Sequence, residues 1–582
     1  MKLTEEQSAI VNSTGNIKIN AVAGSGKTTT IIEYIKARPK KRALYLAFNK
    51  TVRQEAVKKF EQAGINWVKV ETAHSLAYKN VVPQSGYSLS TGYKTYELKD
   101  LLEIEAPGDE INSYILANHI LKYAAYFCNS NAAMVKDLNL FDIISDETAA
   151  LFVKRNYDKI LLYTRQFLAK MYKGEIGVTH DFYLKKYQLS DPSLNYDYIF
   201  FDEGQDASPV MLDVFMKQKA AKIIVGDAHQ QIYSWRYAVN SLEQVDFKNF
   251  TLSKSFRFEK EIGNLAENTL CWKKNIQNYS PIDIEGIGKN KSKKMKATIG
   301  RTNTALMLRA IDLLIEKQAI ENVYFEGNIS SYTYAEEGGS IYDVLNLKNG
   351  DYTFIRDNLI KSMQSFSELE EYAEATEDGS LKMLIDVVKK YGRNLPNYIK
   401  ILKDKHLPDE MREDADMIFS TVHRCKGMEY DEVTILDDFI KETDIKNMVR
   451  RDGLENIQIA SLAEEINLLY VAITRTKNIL NIPFEFLPDN YKEFKKKINS
   501  KINVLFTAQQ TNKKDEDQKI SGGFFGIRKK HKDAYKKWTI EDDADLLLLY
   551  DEGKNLTELS KHFGRTAGAV RTRLQKLGVF DN

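Results

Sequence analysis

Short apolar runs alternate along this chain with longer stretches of helical periodicity. The runs lie at residues 17–20, 43–48, 198–201, 223–226, 418–422 and 433–436. Alternation of this kind predicts parallel β-sheets covered by helices. The runs form two groups, separated by more sequence than the loops of one sheet require, so we predict an α/β fold with two parallel-sheet domains.

Two segments of different character interrupt these domains. Residues 79–184 are aromatic and helical in pattern, and residues 305–411 mix helical stretches with acidic, glycine-bearing connectors. We predict that both are mainly helical insertions. The expected organisation is a first core over 1–78 and 185–255 with the insertion 79–184, a second core over 256–304 and 412–505 with the insertion 305–411, a flexible linker over 506–534, and a C-terminal module over 535–582.

The C-terminal module carries capping signals for three short helices. These signals are Thr539 with Asp542, Asn555 with Glu558, and Thr566 with a stop at Gly578. In the third helix one face is apolar, formed by Val570, Leu574 and Leu577. The outward positions are Arg571, Thr572, Gln575 and Lys576. This arrangement predicts a Myb-like helix-turn-helix that reads DNA, with a protein-binding three-helix module as the alternative.

Composition narrows the function classes. The chain has 582 residues and a formal net charge of +2, so any basic groove for nucleic acid must be local. No apolar run approaches the ~18 residues that a membrane helix needs. Met1 to Gln7 are charged and polar, so we expect no secretory signal and a cytoplasmic protein without membrane attachment. Three widely spaced cysteines argue against a zinc site, an iron–sulfur cluster or a disulfide framework.

The segment Ala21 to Thr28 has the character of a phosphate-binding loop. It reads Ala-Val-Ala-Gly-Ser-Gly-Lys-Thr and stands between an apolar run and a helical pattern. Its glycines let backbone N–H groups approach phosphates, Lys27 can neutralise β- and γ-oxygens, and Thr28 can hold Mg²⁺. Ala21 stands where the common pattern has glycine, which removes no donor because the cradle is backbone.

An acidic cluster, Asp202 to Asp206, directly follows the apolar run at 198–201. At the carboxyl end of a strand, Asp202 can bind Mg²⁺ and Glu203 can take the proton of an attacking water. An isolated Asp-Glu pair is more often a solvated turn. Its place after a buried strand, in a chain with a phosphate loop, favours the catalytic interpretation.

Further segments follow in a fixed order. They are Gln7, Thr72 to His74, Val225 to Arg236, Phe256 with Arg257, Thr421 to Glu429, and Glu465 to Arg475. With the phosphate loop and the acidic cluster, they resemble the superfamily 1 helicases of the UvrD, Rep and PcrA type from Leu3 to about Lys477. The resemblance implies two RecA-like cores that use ATP and Mg²⁺.

The resemblance assigns roles around the nucleotide. Catalysis is implied for Lys27, Asp202, Glu203, Gln230 as a γ-phosphate sensor, Arg257 and Arg475. Nucleotide binding is implied for Gln7 and Phe256 at the adenine, for Glu429, and for Ala23, Gly24, Ser25, Gly26, Lys27, Thr28 and Thr29 in the loop. The metal ligands would be Thr28 and Asp202. Because the two arginines belong to the second core, we expect them to reach ATP only when the cores close.

The resemblance also implies contacts to single-stranded DNA. The residues are Phe48, Asn49, Thr72, His74, Tyr233, Trp235, Arg236, Thr421 and His423. Trp235 would stack on a base. Core packing is the alternative for Tyr233 and Trp235, and the neighbouring Gln230 and Arg236 favour the DNA contact.

Two positions depart from the family pattern. Gly204 stands where the family usually has alanine, and Ile466-Asn467 stands where it usually has a basic pair. The wording of Glu465 to Ala472, with Thr179 to Lys185, is similar to the F-box DNA helicase branch, for the motor alone.

We therefore expect an ATP-dependent helicase that moves 3′-to-5′ on single-stranded and forked DNA, as a monomer while translocating, in repair, recombination or replication. One alternative is a single-strand translocase that clears bound proteins with little unwinding. Another is a DNA-binding adaptor with a degenerate motor, which the intact catalytic set opposes. The C-terminal module would bind DNA or, in the alternative, a protein partner.

Overall fold

The structure is a computed structural model that describes most of the chain. The described residues are 3–39, 41–104, 110–144, 146–234, 237–334, 339–376, 378–454, 458–487 and 501–505, followed by 540–551, 554, 556–565, 570 and 573–574. The chain divides into two compact units, Met1–Leu505 and Phe506–Asn582. Among the described residues, no helix is long and apolar enough to cross a membrane.

A six-stranded parallel sheet forms the first core. Its strands are β1 (Ile17–Ala21), β2 (Ala43–Ala47), β3 (Val68–Thr72), β4 (Tyr198–Phe201), β5 (Ala221–Gly226) and β6 (Lys248–Leu252), in the order β3-β2-β4-β5-β1-β6. Every residue of β2 is buried, because helices cover both faces of a parallel sheet. The order places β4, β5 and β1 side by side, so the loops that follow these strands meet at one edge.

A second six-stranded parallel sheet forms the second core. A two-stranded parallel pair, β7 (Lys254–Ser255) with β8 (Glu285–Gly286), lies between the sheets in sequence. The second sheet contains β9 (Lys296–Gly300), β10 (Val323–Phe325), β11 (Met417–Thr421), β12 (Tyr430–Ile435), β13 (Thr476–Pro483) and β14 (Ile502–Leu505), in the order β10-β11-β9-β12-β13-β14. Together the two sheets confirm the predicted α/β class with parallel strands.

Helices connect the strands and build the insertions. The first core and its insertion contain α1 (Glu5–Val11), α2 (Lys27–Lys36), α3 (Lys50–Gln62), α4 (Ala73–Ser85), α5 (Thr95–Leu101), α6 (Glu110–Asn129), α7 (Glu147–Lys173), α8 (His180–Leu189), α9 (Pro209–Met216) and α10 (Ser241–Gln244). The second core and its insertion contain α11 (Lys260–Leu270), α12 (Asn303–Ile311), α13 (Ile341–Asn349), α14 (Asn358–Ser362), α15 (Phe366–Ala375), α16 (Gly379–Tyr391), α17 (Leu395–Asp404), α18 (Glu442–Asp452) and α19 (Ile459–Ile473).

The insertions differ in detail from the expected boundaries. The boundaries at 79 and 184 fall inside α4 and α8, since each helix continues from the core into the insertion. In the second insertion, β10 pairs with β11 and so extends the second sheet within residues 305–411. The two insertions also contact each other, because the Lys122 Nζ donates to the Thr376 carbonyl at 2.6 Å.

The second unit is described in part, with α20 (Ile540–Asp551) and α21 (Leu556–His562). Val570 and Leu574, which the sequence predicts to face inward, are buried together with Leu546 and Leu559. The predicted DNA-reading residues Arg571, Thr572, Gln575 and Lys576 lie outside the described residues, as do Thr539, Thr566 and the linker. The Myb-like helix-turn-helix therefore stays a prediction.

Candidate nucleotide and strand site

The phosphate loop joins β1 to α2. Gly24 and Gly26 have φ of +74° and +78°, in the left-handed region that glycine favours. A Cβ at Gly24 would lie 2.6 Å from the Cβ of Arg257, so the loop and the second core approach too closely for any side chain here. The buried Ser25 Oγ has no protein partner. A backbone cradle with a spare hydroxyl and the start of α2 fits a phosphate group.

Lys27 and the acidic pair meet at the carboxyl edge of the first sheet. The Lys27 Nζ donates to Glu203 Oε1 at 2.8 Å, and the Tyr45 hydroxyl donates to Asp202 Oδ2. Burial and the charge of Glu203 raise the pKa of Asp202 to about 6. Burial alone would also raise the pKa of Glu203, but Lys27 and Lys426 lower it to about 2. Glu203 is therefore held as a carboxylate, the form that a proton acceptor needs.

No group of three or more His, Cys, Asp or Glu side chains in the described part of the chain could hold a metal ion by itself. The predicted ligands are one hydroxyl, of Thr28, and one carboxylate, of Asp202. Mg²⁺ commonly keeps several waters and takes one or two protein ligands beside substrate phosphates, so this sparse donor set fits it.

Gln205 organises the loops that follow β4 and β5. Its Nε2 donates to Glu203 Oε2 at 2.5 Å, and its Oε1 accepts from the backbone N–H of Asp227 at 3.1 Å. Glu203 has a φ of +53°, which is uncommon for a residue with a side chain and occurs at functional sites. The close packing also explains Gly204, because a Cβ there would lie 2.4 Å from Ile224 Cγ2.

The second core reaches the same edge through its arginines. Arg475 is only 1% exposed, and its Nη2 donates to the Gln230 Oε1 at 3.2 Å. Arg257 donates through Nε to Glu429 Oε1 at 2.8 Å and through Nη1 to the Thr474 carbonyl at 2.7 Å. Burial and the nearby charge of Arg475 lower the pKa of Arg257 to about 10, so the Arg257 guanidinium stays charged at neutral pH. The two cores are thus already in contact here.

Two residues that the sequence predicts to contact adenine, Gln7 and Phe256, flank Gly26. A Cβ at Gly26 would lie 3.2 Å from Gln7 Nε2 and 4.0 Å from Phe256 Cε2. Gln7 is fixed by a capping box with Thr4, whose backbone N–H donates to Gln7 Oε1 at 3.0 Å. Phe256 is 49% exposed, so its ring is open to stacking. The structure brings together an amide and a free aromatic face beside the phosphate loop.

Three of the predicted strand-contact residues form one cluster. The rings of Phe48 and Tyr233 stack with centroids 5.8 Å apart, and the Tyr233 hydroxyl donates to the His423 carbonyl at 2.9 Å. Trp235 and Arg236, which follow in the same motif, lie outside the described residues.

Other predicted strand-contact residues have local structural partners. The side chains of Asn49 and Thr72 cap α3 and α4. Thr421 is buried at the end of β11. His74 lies in a separate polar group, where its Nε2 is 3.3 Å from Asp181 Oδ1. Phe48 and His74 nevertheless share the carboxyl edge of the first sheet, because they follow the neighbouring strands β2 and β3.

Sequence reasoning missed the residues that tie these parts together. Lys426 forms a buried ion pair with Asp206, donates to the Gln230 carbonyl, and lies 5.0 Å from the centroid of the Tyr233 ring. Tyr470 donates to Asp227 Oδ2 at 2.8 Å. Both residues lie inside the motifs quoted above. Tyr470 could have been noticed as a hydroxylated residue in the mainly apolar stretch from Ile466 to Ile473, whereas Lys426 lies in a motif with several other polar residues and had no such signal.

The structure also explains why Ile466 and Asn467 replace the basic pair that is usual in the family. Ile466 is fully buried in the core of the second domain. Asn467 donates through Nδ2 to the Gln231 carbonyl at 3.0 Å and so joins α19 to the motif that carries Gln230. A basic pair at these two buried positions would have to move toward solvent.

The fold and this site define a P-loop protein with two parallel-sheet cores. Residues 3–250 match the family model of the UvrD/REP helicase N-terminal domain, and this match supports a UvrD-like superfamily 1 helicase.

Among its relatives are F-box DNA helicase 1 of Gallus gallus, 30% identical over 82% of this chain, and F-box DNA helicase protein 1 of Schizosaccharomyces pombe, 30% identical over 82%. The Gabija protein GajB of Bacillus cereus is 27% identical over 44% of this chain. The chain spans about half the length of these relatives, namely 49%, 57% and 47%.

Proposed function

We propose that this chain is an ATP- and Mg²⁺-dependent DNA helicase that moves 3′-to-5′ on single-stranded DNA. The observation that carries the proposal is the position of Lys426. Its ammonium group pairs with Asp206 of the acidic loop, donates to the Gln230 carbonyl and lies over the Tyr233 ring. A single buried cation thus joins the residues proposed for hydrolysis to those proposed for the strand.

The hydrolytic step follows from the groups at the sheet edge. Lys27 leaves Glu203 for the phosphates when a nucleotide binds, because phosphate oxygens compete for its ammonium. Glu203 then accepts the proton of the attacking water. Thr28 and Asp202 would hold Mg²⁺, which would supply positive charge to balance that of the phosphates. Arg257 and Arg475 stabilise the charge that spreads over the γ-phosphoryl oxygens, a contribution of ~10³–10⁵ in rate for a positioned arginine.

Movement along the strand can be explained by the fact that the two cores supply different groups to the γ-phosphate. Gln230 belongs to the first core and Arg475 to the second, so loss of the γ-phosphate removes a shared partner of both cores. The interface that contains Lys426 and Tyr233 then relaxes. Because Tyr233 stacks on Phe48 and hydrogen-bonds the His423 backbone, this relaxation changes the grip on a base seated there.

The test combines hydrolysis with unwinding. ATP turnover is measured with and without single-stranded DNA, and strand displacement is measured on duplexes with a 3′ tail or a 5′ tail. We expect DNA to stimulate hydrolysis and the 3′-tailed duplex alone to be unwound. Hydrolysis without DNA stimulation would contradict a helicase, and preference for the 5′ tail would contradict the polarity.

We also propose that the C-terminal module anchors the protein on duplex DNA. Support comes from the predicted outward set Arg571, Thr572, Gln575 and Lys576, opposite the buried Val570 and Leu574. So few polar side chains would supply phosphate contacts rather than tight sequence reading.

A further inference from the structure

A hydrogen bond of Tyr470 joins the second core to the first residue after β5. Tyr470 lies on α19, is fully buried, and donates its hydroxyl to Asp227 Oδ2 at 2.8 Å. Asp227 directly follows β5 of the first core and is itself buried. The bond therefore joins the two cores at the base of the candidate nucleotide site.

Asp227 determines how the Gln230 side chain is turned. The same Oδ2 accepts from Gln230 Nε2 at 2.9 Å, and Oδ1 accepts from the His229 backbone N–H at 3.0 Å. A carboxylate only accepts hydrogen bonds, so the amide nitrogen of Gln230 must face it. The amide oxygen of Gln230 then faces Arg475. A turned amide would place two donors against the guanidinium.

The surroundings of Tyr470 keep its hydroxyl a donor. Burial raises the pKa of Tyr470 well above its ordinary value, and the charge of Asp227 adds to the effect. The ring of His229 packs edge-on against Tyr470, with centroids 6.2 Å apart. Ala23, in the phosphate loop, belongs to the same buried cluster as Tyr470. Tyr470 of the second core thus lies in the core that includes the phosphate loop and hydrogen-bonds the carboxylate that holds Gln230.

We propose that Tyr470 is a positioning residue for ATP hydrolysis, which fixes Asp227 so that Gln230 presents its amide oxygen to Arg475 when the cores are in contact. The inference rests on the proposed function and deepens it. Tyr470 touches no reacting atom in this scheme, so it acts through Gln230 and not on ATP itself. Loss of its hydroxyl should lower turnover while nucleotide and DNA affinity remain.

The experiment compares Tyr470→Phe with Tyr430→Phe. Tyr430 is an equally buried tyrosine of the second core, and its hydroxyl donates to Glu326 Oε1 at 2.8 Å, at the base of the second insertion. We measure kcat and KM for ATP at saturating single-stranded DNA, the DNA dissociation constant and the melting temperature. We expect kcat to fall about tenfold in Tyr470→Phe, as for loss of one hydrogen bond to a charged acceptor, with KM and DNA affinity within twofold. Tyr430→Phe should keep the wild-type kcat.

A double-variant cycle separates positioning from a general structural effect. If Tyr470 acts through Gln230, adding Tyr470→Phe to Gln230→Ala lowers kcat no further. Multiplicative losses, an unchanged kcat in Tyr470→Phe, or an equal loss in Tyr430→Phe would each overturn the inference. A wild-type protein without DNA-stimulated hydrolysis would overturn the proposed function and the inference together, whereas an active wild type with an unaffected Tyr470→Phe overturns the inference alone.

Discussion

Gly204→Ala adds a single methyl group, and we expect it to lower the stability of the folded protein markedly. Its φ is not in the left-handed region, so an alanine backbone is unstrained and the neighbours alone decide the outcome. The new Cβ would lie 2.4 Å from Ile224 Cγ2 and 2.8 Å from Ser241 Oγ, well inside van der Waals contact. Ser241 is fully buried and donates to the Gly204 carbonyl, so it has little room to move.

The magnitude follows from two costs. Overpacking a dense core by one methyl group costs ~1–3 kcal/mol. Displacement of Ser241 would weaken a hydrogen bond worth ~1 kcal/mol. We therefore expect the free energy of unfolding to fall by roughly 2–3 kcal/mol, which for a cooperative unit of 150–250 residues lowers the melting temperature by roughly 4–12 °C. Because Gly204 follows Glu203 directly, hydrolysis should fall as well.

The control is Gly379→Ala, at the first position of α16. A Cβ there meets no atom within 4 Å, so the substitution should be neutral or stabilising. Melting is followed by calorimetry, and the clash is tested with Ile224→Ala, in whose background Gly204→Ala should cost less. If Gly204→Ala has the melting temperature of the wild type, Gly204 is not needed for packing. The same holds if Gly204→Ala destabilises the Ile224→Ala variant as much as it destabilises the wild type.

Three further predictions address the arginine, the C-terminal module and a buried lysine. Arg475→Ala should lower kcat by at least ~10³ with little change in ATP affinity, and a change confined to KM would contradict the two-core scheme. Deletion of residues 535–582 should leave kcat at saturating single-stranded DNA unchanged while weakening binding to forked DNA and flattening its salt dependence by ~0.9 per lost phosphate contact, whereas unchanged affinity and slope would assign the module to a protein partner. Burial lowers the pKa of Lys185 to about 8, so the folded state binds fewer protons than the unfolded chain between pH 8 and 10, and stability should rise with pH there. The gain should be roughly 2 kcal/mol relative to Lys185→Met, and parallel stability curves would refute it.

In the first sheet the central strands could be predicted from the sequence and the edge strands β3 and β6 could not, whereas in the second sheet two interior strands, β9 and β13, were also missed. The runs at 43–48, 198–201 and 223–226 are continuous apolar segments because β2, β4 and β5 are paired on both sides and covered on both faces. At the edges, β6 reads Lys-Asn-Phe-Thr-Leu with one buried residue, and β10 has only three residues. Such segments look like loops, since their burial depends on a neighbour far away in the chain.

In the candidate site, too, some features could be predicted from the sequence and others could not. Its loops could be located because the carboxyl ends of parallel strands meet at one edge. The bonds that join the cores could not, because Tyr470 and Asp227 lie 243 positions apart and Lys426 and Asp206 lie 220 apart. The need for glycine at Gly204 was also invisible, since it depends on how closely Ile224 of β5 approaches.

ATP turnover by Lys27→Ala and Glu203→Gln in the presence of single-stranded DNA shows whether the carboxyl edge of the first sheet is the site of hydrolysis. Lys36→Ala serves as the matched control, because Lys36 lies at the other end of the same helix and pairs on the surface with Glu33. We expect both site variants to lose DNA-stimulated hydrolysis while binding single-stranded DNA nearly as the wild type does, and Lys36→Ala to keep full activity. Turnover by either site variant at a tenth of the wild-type rate or more would contradict the assignment of Lys27 and Glu203.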